Sequence, residues 1–299
     1  MRRTIQATVA ILLLGVVAVA DAAQPPPGSR ADPQVAVAGT TLHYTGLLNR
    51  VGLERLRTVL AQHPELVELQ VNSSGGEALP AIEIGTLVRA RALSIRVEQR
   101  CNSACANYLF VPATRRTIAP GAMVVWHNAC PQNLPADLRF SQVLQGKVEN
   151  VGGMAYVDGK ASTHTLSRRQ AQALDRDMRR YFRQYAQRHT AFFAGLGVDS
   201  RIVCLGDYVN LPKGKGQAYT MSVEDMARFG VCGVTAEPDY LARVERALAR
   251  DGKSATGGVI RLADFPQLKL RQPQPRAACA PASARAAAPP ALPAGRPRR

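Results

Sequence analysis

The segment from Ser94 to His127, SIRVEQRCNSACANYLFVPATRRTIAPGAMVVWH, with NSSGG just before it at Asn72–Gly76, limits what this chain can fold into more than any other stretch. It reads as a strand, a sharp turn carrying Ser103, a short buried helix, and a second strand that returns His127 toward the serine. Two glycines after a strand let backbone amides turn into a cavity with no Cβ in the way, so Gly75 and Gly76 are candidate oxyanion donors. The amide of Ala104 is the other candidate, because unpaired amides point outward at a helix N-terminus. Ser103 alone reads better as a helix cap, with Asn102 helping. Placed between a glycine turn and a histidine 24 residues later, it reads as a nucleophile with its base.

The flanking sequence supplies a scaffold for that unit. VAVAGTTLHY (Val35–Tyr44) alternates as an opening strand or hairpin, and Leu47–Gln62 places Leu53, Leu56, Val59 and Leu60 at helical spacing before His63-Pro64 ends the run. VELQV forms the first core strand. Glu77–Arg91 carries Leu79, Ile82, Leu87 and Val88 on one side and is an amphipathic helix. Strand, glycine turn, helix and strand make a βαβ unit with a right-handed crossover, repeated once more through SIRVEQ and the Ser103 helix. The expected fold is α/β, a mostly parallel sheet with its active residues at strand ends.

NSSGG, Ser103 and the TIAPGAMVVWH strand together resemble the Clp-protease/crotonase-like superfamily, within it the Clp proteolytic subunit and signal-peptide-peptidase-like serine peptidases. The resemblance covers Leu66–His127 closely and Tyr219–Thr235 more loosely, with Ser74 standing where the family has proline. It implies a repeated βαβ spiral flanked by helices, and peptide-bond hydrolysis through Ser103 and His127. It also implies an aspartate that counting back from Met221-Ser222 puts near Ala218, where the side chain cannot accept a hydrogen bond. Asp207, Asp199 and Asp158 are the possible substitutes. Spacing selects none of them, and Asp207 is preferred for its place in CLGDYV just before the terminal segment.

The ends of the chain read as outside the fold. Arg2 and Arg3, the apolar run Ile11–Ala20 and the small-x-small pattern Ala20-Asp21-Ala22 make residues 1–22 a cleavable signal peptide, followed by a linker over 23–34. The mature protein is then expected in the periplasm or secreted. The α/β domain is placed at 35–250, and 251–299 is expected to be a disordered tail rich in Pro, Ala and Arg, since it holds too little apolar surface to offset its ordering entropy. Net charge is +16. The basic tail suits contact with an anionic envelope surface, whereas no zinc spacing, helix-turn-helix pattern or aromatic-basic strand motif points to nucleic acid.

The stretch Ala129–Leu166 lacks periodicity and is expected to be a lid or binding loop. Ser167–Phe193 is the longest helical run. The resemblance implies that it stands out from the body and builds a homo-oligomer, while its aromatic stripe equally suits a helix covering the sheet. Six cysteines in an exported chain invite disulfides. Cys101 and Cys105 flank Ser103 and would clamp its turn, Cys130 could compete for either, and Cys204 with Cys232 is the preferred distant pair; Cys279 lies in the tail. C-x3-C has no second ligand pair of matching spacing, so no metal is assigned. His43, His63, His164 and His189 have no supporting constellation, and Asn107 and Asn128 are candidate pocket residues.

The function expected is acyl transfer to water on a peptide or acyl substrate, needing no cofactor, by a Ser-His dyad or incomplete triad. The competing class is a binding or scaffold protein that keeps the fold without the chemistry. Crotonase-type chemistry on coenzyme A thioesters is the third, and export counts against it.

Overall fold

The computed structural model describes residues 32–127, 130–131, 168–205, 218–250, 258–266, 268 and 270. The expected signal peptide, nearly all of the 129–166 loop, Asp158 and Asp207 lie outside these residues, as do Asn128, His164 and Cys279. Among the described residues no helix is long and apolar enough to cross a membrane.

The chain opens as an antiparallel hairpin of β1 (Gln34–Ala38) and β2 (Thr41–Thr45), with Leu42 and Tyr44 on the buried side of β2. Helix α1 (Arg50–Gln62) begins where Asn49 Oδ1 accepts from the Gly52 amide at 2.9 Å, which occupies one of the donors that a helix start leaves open. Its Leu53, Leu56 and Leu60 are buried, and each such side chain stabilises by about 1.5–3 kcal/mol. The chain returns as β3 (Glu68–Ser73), parallel to β2. After NSSGG, α2 (Ala78–Ala90) buries Ala81, Ile82, Ile84 and Val88 and leads to β4 (Ser94–Asn102), parallel to β3. Two successive βαβ units therefore build the sheet toward Ser103, as the hydrophobic spacing requires.

At β4 the sheet branches. Ile95–Val97 pairs in parallel with β5 (Arg116–Ile118), whereas Arg100–Asn102 pairs in parallel with β6 (Met123–His127). The expected single strand ending at His127 is two strands, separated by a turn that the Ala122 amide closes onto Ala119 O at 2.9 Å. Pro120 has no N–H to give a ladder, so the break falls where the sequence cannot pair. β6 continues antiparallel to β7 (Ala218–Met221), itself parallel to β9 (Gly258–Ile260), and β8 (Val234–Thr235) pairs with β5.

Helices cover this sheet. Helix α3 (Arg168–Leu196) packs on α2 and on the short π-type helix Ala106–Phe110, burying Met178, Tyr185, His189 and Phe193. That face belongs to the core, so this part of α3 is a covering helix. Helix α4 (Val223–Arg228) starts at Ser222, whose Oγ accepts from the Asp225 amide at 3.0 Å, and α5 (Tyr240–Arg250) buries Tyr240 and Val244. The fold also runs past the expected boundary at 250. β9 is in the sheet, Ile260 and Leu262 are buried, and Phe265, Leu268 and Leu270 pack against the core. The short apolar pieces there have no period of their own to betray them; they are ordered by a sheet edge supplied from elsewhere.

Candidate active site

Ser103 sits at the end of β4 with φ of +53°, in the left-handed region that costs a residue with a Cβ about 1–2 kcal/mol. Its amide donates to Val125 O at 2.8 Å and its carbonyl accepts from the Asn107 amide at 2.9 Å, so the turn is tied to β6 on one side and to the short helix on the other. The Cys101–Cys105 disulfide closes the same turn, with Cα atoms 5.1 Å apart. Gly75, at φ of +97°, lies against it. A Cβ there would stand 2.8 Å from Ser103 Cβ, 2.7 Å from Asn102 O and 3.0 Å from the Ala104 amide nitrogen, so only glycine fits.

The far end of the short helix is fastened by a residue that sequence reasoning missed. Arg116 is 5% exposed and donates through Nε to Phe110 O at 2.8 Å and through its other nitrogens to Val111 O and Cys232 O. A buried guanidinium thus satisfies carbonyls that a helix C-terminus leaves open. A cation inside a three-residue strand is the one sequence signal that could have found it.

His127 arrives on β6. Its neighbours Val124 and Trp126 are buried, and the strand's alternation puts His127 on the opposite face from Trp126. Trp126 lies edge-on to Phe110, with centroids 6.2 Å apart, and stacks over Tyr219 at 6.5 Å, which fixes the strand end. His127 Nδ1 is 3.2 Å from Ser103 Oγ. For Nδ1 to accept the serine proton, the ring proton must sit on Nε2. Although the side chain reaches solvent, the protein around it desolvates the imidazolium and holds its pKa below the ordinary 6.5, so the ring is the free base at neutral pH.

Among the described residues Ser103 is the only hydrogen-bond partner of the His127 side chain. Ala218 is the residue paired with His127 across β6 and β7. Paired Cβ atoms lie about 4.5–5.5 Å apart, so the position that the resemblance assigns to an aspartate does adjoin the histidine and holds a methyl group. Asp199, one of the substitutes, caps the turn Ser200–Val203 and takes the Arg201 guanidinium at 2.9 Å, so it does not serve His127. Asp207 and Asp158 lie outside the described residues.

The three oxyanion candidates differ in availability. The Gly75 amide donates to Ser73 Oγ at 3.1 Å, a buried acceptor that the spacing of NSSGG gave no reason to single out. Gly76 is bracketed by Leu48 N to Gly75 O at 2.8 Å and Glu77 N to Leu48 O at 2.7 Å, a bridge whose two bonds do not use its own amide. Ala104, as the first residue of the helix turn, has no intrahelical acceptor. Gly76 and Ala104 stay candidate oxyanion donors, and Gly75 lets its turn approach Ser103 and the Ala104 amide closely.

One further expectation changes. Cys204 is bridged to Cys130, not to Cys232, because the turn Ser200–Val203 sets Cys204 within a Cα distance of 5.2 Å of Cys130, three positions past His127. Cys232 is also disulfide-bonded, and no cysteine is free among the described residues. Asn107 is buried with neither side-chain polar atom hydrogen-bonded, while His63 pairs with Glu65 and His189 lies in the aromatic core. Among the described residues no group of three or more His, Cys, Asp or Glu can hold a metal ion.

No family model matches the chain and no curated protein sequence is similar to it. Similar solved structures include a protein described as an enoyl-CoA hydratase from Streptomyces coelicolor A3(2), at 15% identity and a TM-score of 0.32, covering 77% of this chain and 75% of that one. Another described in the same terms, from Streptomyces avermitilis, matches at 14% identity and a TM-score of 0.27, covering 62% of this chain and 88% of that one. A methylmalonyl-CoA decarboxylase matches at 12% identity and a TM-score of 0.27, covering 78% of this chain and all (100%) of that one. The chain is an α/β protein with a mostly parallel sheet flanked by helices.

Proposed function

We propose that the chain is an exported, Clp-peptidase-like serine hydrolase of the Clp/crotonase-like superfamily that transfers an acyl group to water. Ser103 Oγ attacks a carbonyl carbon and passes its proton to His127 Nδ1; the amides of Gly76 and Ala104 hold the oxyanion. His127 then returns the proton to the leaving group, and a water deprotonated by the same nitrogen releases the acyl chain from Ser103. The observation that carries this reading is the 3.2 Å contact between Ser103 Oγ and His127 Nδ1, made at a left-handed serine beside a glycine turn. A peptide bond is the first substrate linkage to try and an ester or thioester the second. The test is hydrolysis of a panel of peptide, ester and thioester substrates by the purified mature protein and by its Ser103→Ala variant. Turnover that vanishes in the variant supports the reading; turnover that is the same in both contradicts it.

A second reading has its own observation. Ala218 opposite His127 removes the carboxylate that orients the imidazole in a triad, which favours a scaffold that has kept the fold and lost the chemistry. A folded protein that turns over none of the panel and binds no coenzyme A in titration sustains that reading.

A further inference from the structure

We propose that the Cys101–Cys105 disulfide is the positioning element for Ser103, so that the serine is competent only while that bond is closed; this rests on the reading of Ser103 as a nucleophile. A triad orients its base with a carboxylate, and the partner across from His127 here is Ala218. Among the described residues no carboxylate bonds His127, and the order they supply lies on the serine side. Ser103 and Ala92 are the non-glycine residues with positive φ among those described. A serine released from restraint favours the right-handed form by about 5- to 30-fold, which would extend the short helix back over residue 103 and swing Oγ away from His127.

What opposes that relaxation is local. The Ser103 amide holds Val125 O, the Asn107 amide holds Ser103 O, and Gly75 lies against Ser103 Cβ. These contacts border the turn but do not close it. The disulfide does, joining the last residues of β4 to the first turn of the helix across a sequence separation of 4, with both cysteines wholly buried. A covalent loop this short leaves the residues inside it few backbone conformations. Cys130–Cys204 has a different part: it ties the chain after His127 to a turn that Tyr219 also holds, by accepting from the Leu205 amide at 2.8 Å and donating to Ile202 O at 2.7 Å. The histidine side is thus anchored twice, and the serine turn depends on its one cystine.

The experiment compares the full mature chain with a Cys101→Ala/Cys105→Ala variant and, as control, a Cys130→Ala/Cys204→Ala variant. Each reacts with a fluorophosphonate, and the maximal inactivation rate is separated from the apparent affinity. Amide exchange is followed at Ser103 and Asn107. The expected result is a maximal rate about tenfold or more lower in the first variant with affinity within about twofold, and faster exchange at those two amides, with exchange there unchanged in the control. A rate and an exchange pattern equal to wild type overturn the positioning role while leaving the hydrolase reading intact. A folded wild-type protein that does not react at all overturns the hydrolase reading, and this inference with it.

Should the first variant fail to fold, the wild-type protein is opened with a small dithiol. The reagent gives two electrons and two protons to the cystine, leaving Cys101 and Cys105 as thiols while it closes to its own cyclic disulfide. Reactivity lost as these thiols are trapped and regained on reoxidation is expected. Reactivity that persists with both thiols trapped overturns the proposal.

Discussion

His127 and His189 present the same ring nitrogen to a hydroxyl. His127 Nδ1 faces Ser103 Oγ at 3.2 Å and His189 Nδ1 faces Tyr108 OH at 3.0 Å. Desolvation lowers both pKa values, that of His189 to about 4. Yet His189 is 3% exposed, ringed by Tyr108, Tyr185 and Phe193, and its phenol partner also bonds Tyr185 at 2.8 Å. No substrate reaches it, and its hydroxyl belongs to a group whose own pKa is raised by burial. An imidazole touching a hydroxyl is therefore not in itself a site. What sets the Ser103 pair apart is access and a backbone held in a left-handed turn.

The largest effect that separates the two histidines is on chemistry. His127→Ala should lower the rate of Ser103 acylation by about 10²- to 10⁴-fold with the thermal midpoint little changed, whereas His189→Phe should leave the rate of the folded protein within a few-fold. Rates measured well below the midpoint check both, and equal losses in the two variants would break the comparison.

The next effect is on stability. Unfolded His189 takes up its proton near the ordinary 6.5, the folded residue only near 4. Between those values the unfolded state binds more protons, so stability is intact above pH 6.5 and falls as pH drops toward 4, by up to about 3 kcal/mol. Denaturant titrations across that window should show the slope in wild type and lose most of it in His189→Phe. The His127 pair reports by a different readout: acylation rate should climb with pH through an inflection below the ordinary 6.5, because the free base is the working form.

Gly75→Ala is expected to cost about 2 kcal/mol from the left-handed backbone, with further loss of acylation as the new methyl pushes Ser103 Cβ and the Ala104 amide apart. Unfolding midpoints and acylation rates of the variant check it. The smallest change sharpens the pair. Ala218→Asp places a carboxylate beside His127 and should raise the acylation rate by about tenfold or less while moving the inflection upward, since a nearby negative charge favours the imidazolium. An inflection that stays put would mean that the paired position does not reach the ring.

The contrast also explains what the sequence made legible. Period-2 and helical spacings are local, so β1–β2, α1, β3, α2 and the turn at Ser103 could be read from Val35 to Cys105, and the disulfide around Ser103 with them. His127 could be paired with Ser103 because one βαβ-like step fixes both strand ends. Other features depend on contacts distant in the chain. Arg116 has a role only because Cys232 O and the helix end meet it; Cys204 meets Cys130 and not Cys232 because of the turn after α3. β9 needs the edge of β7, and a three-residue strand carries no pattern by itself. His189 carries no motif, and nothing in RQYAQRHTAFF announces the Tyr108 phenol lying 81 positions earlier.

The most direct measurement is to label the protein with a fluorophosphonate and map the adduct by peptide mass spectrometry, with Ser103→Ala and His127→Ala alongside. The account predicts one adduct, on Ser103, absent from the first variant and reduced by about 10²-fold or more in the second. A folded protein that carries no adduct, or carries it equally without His127, would contradict the claim that this pair is an active centre.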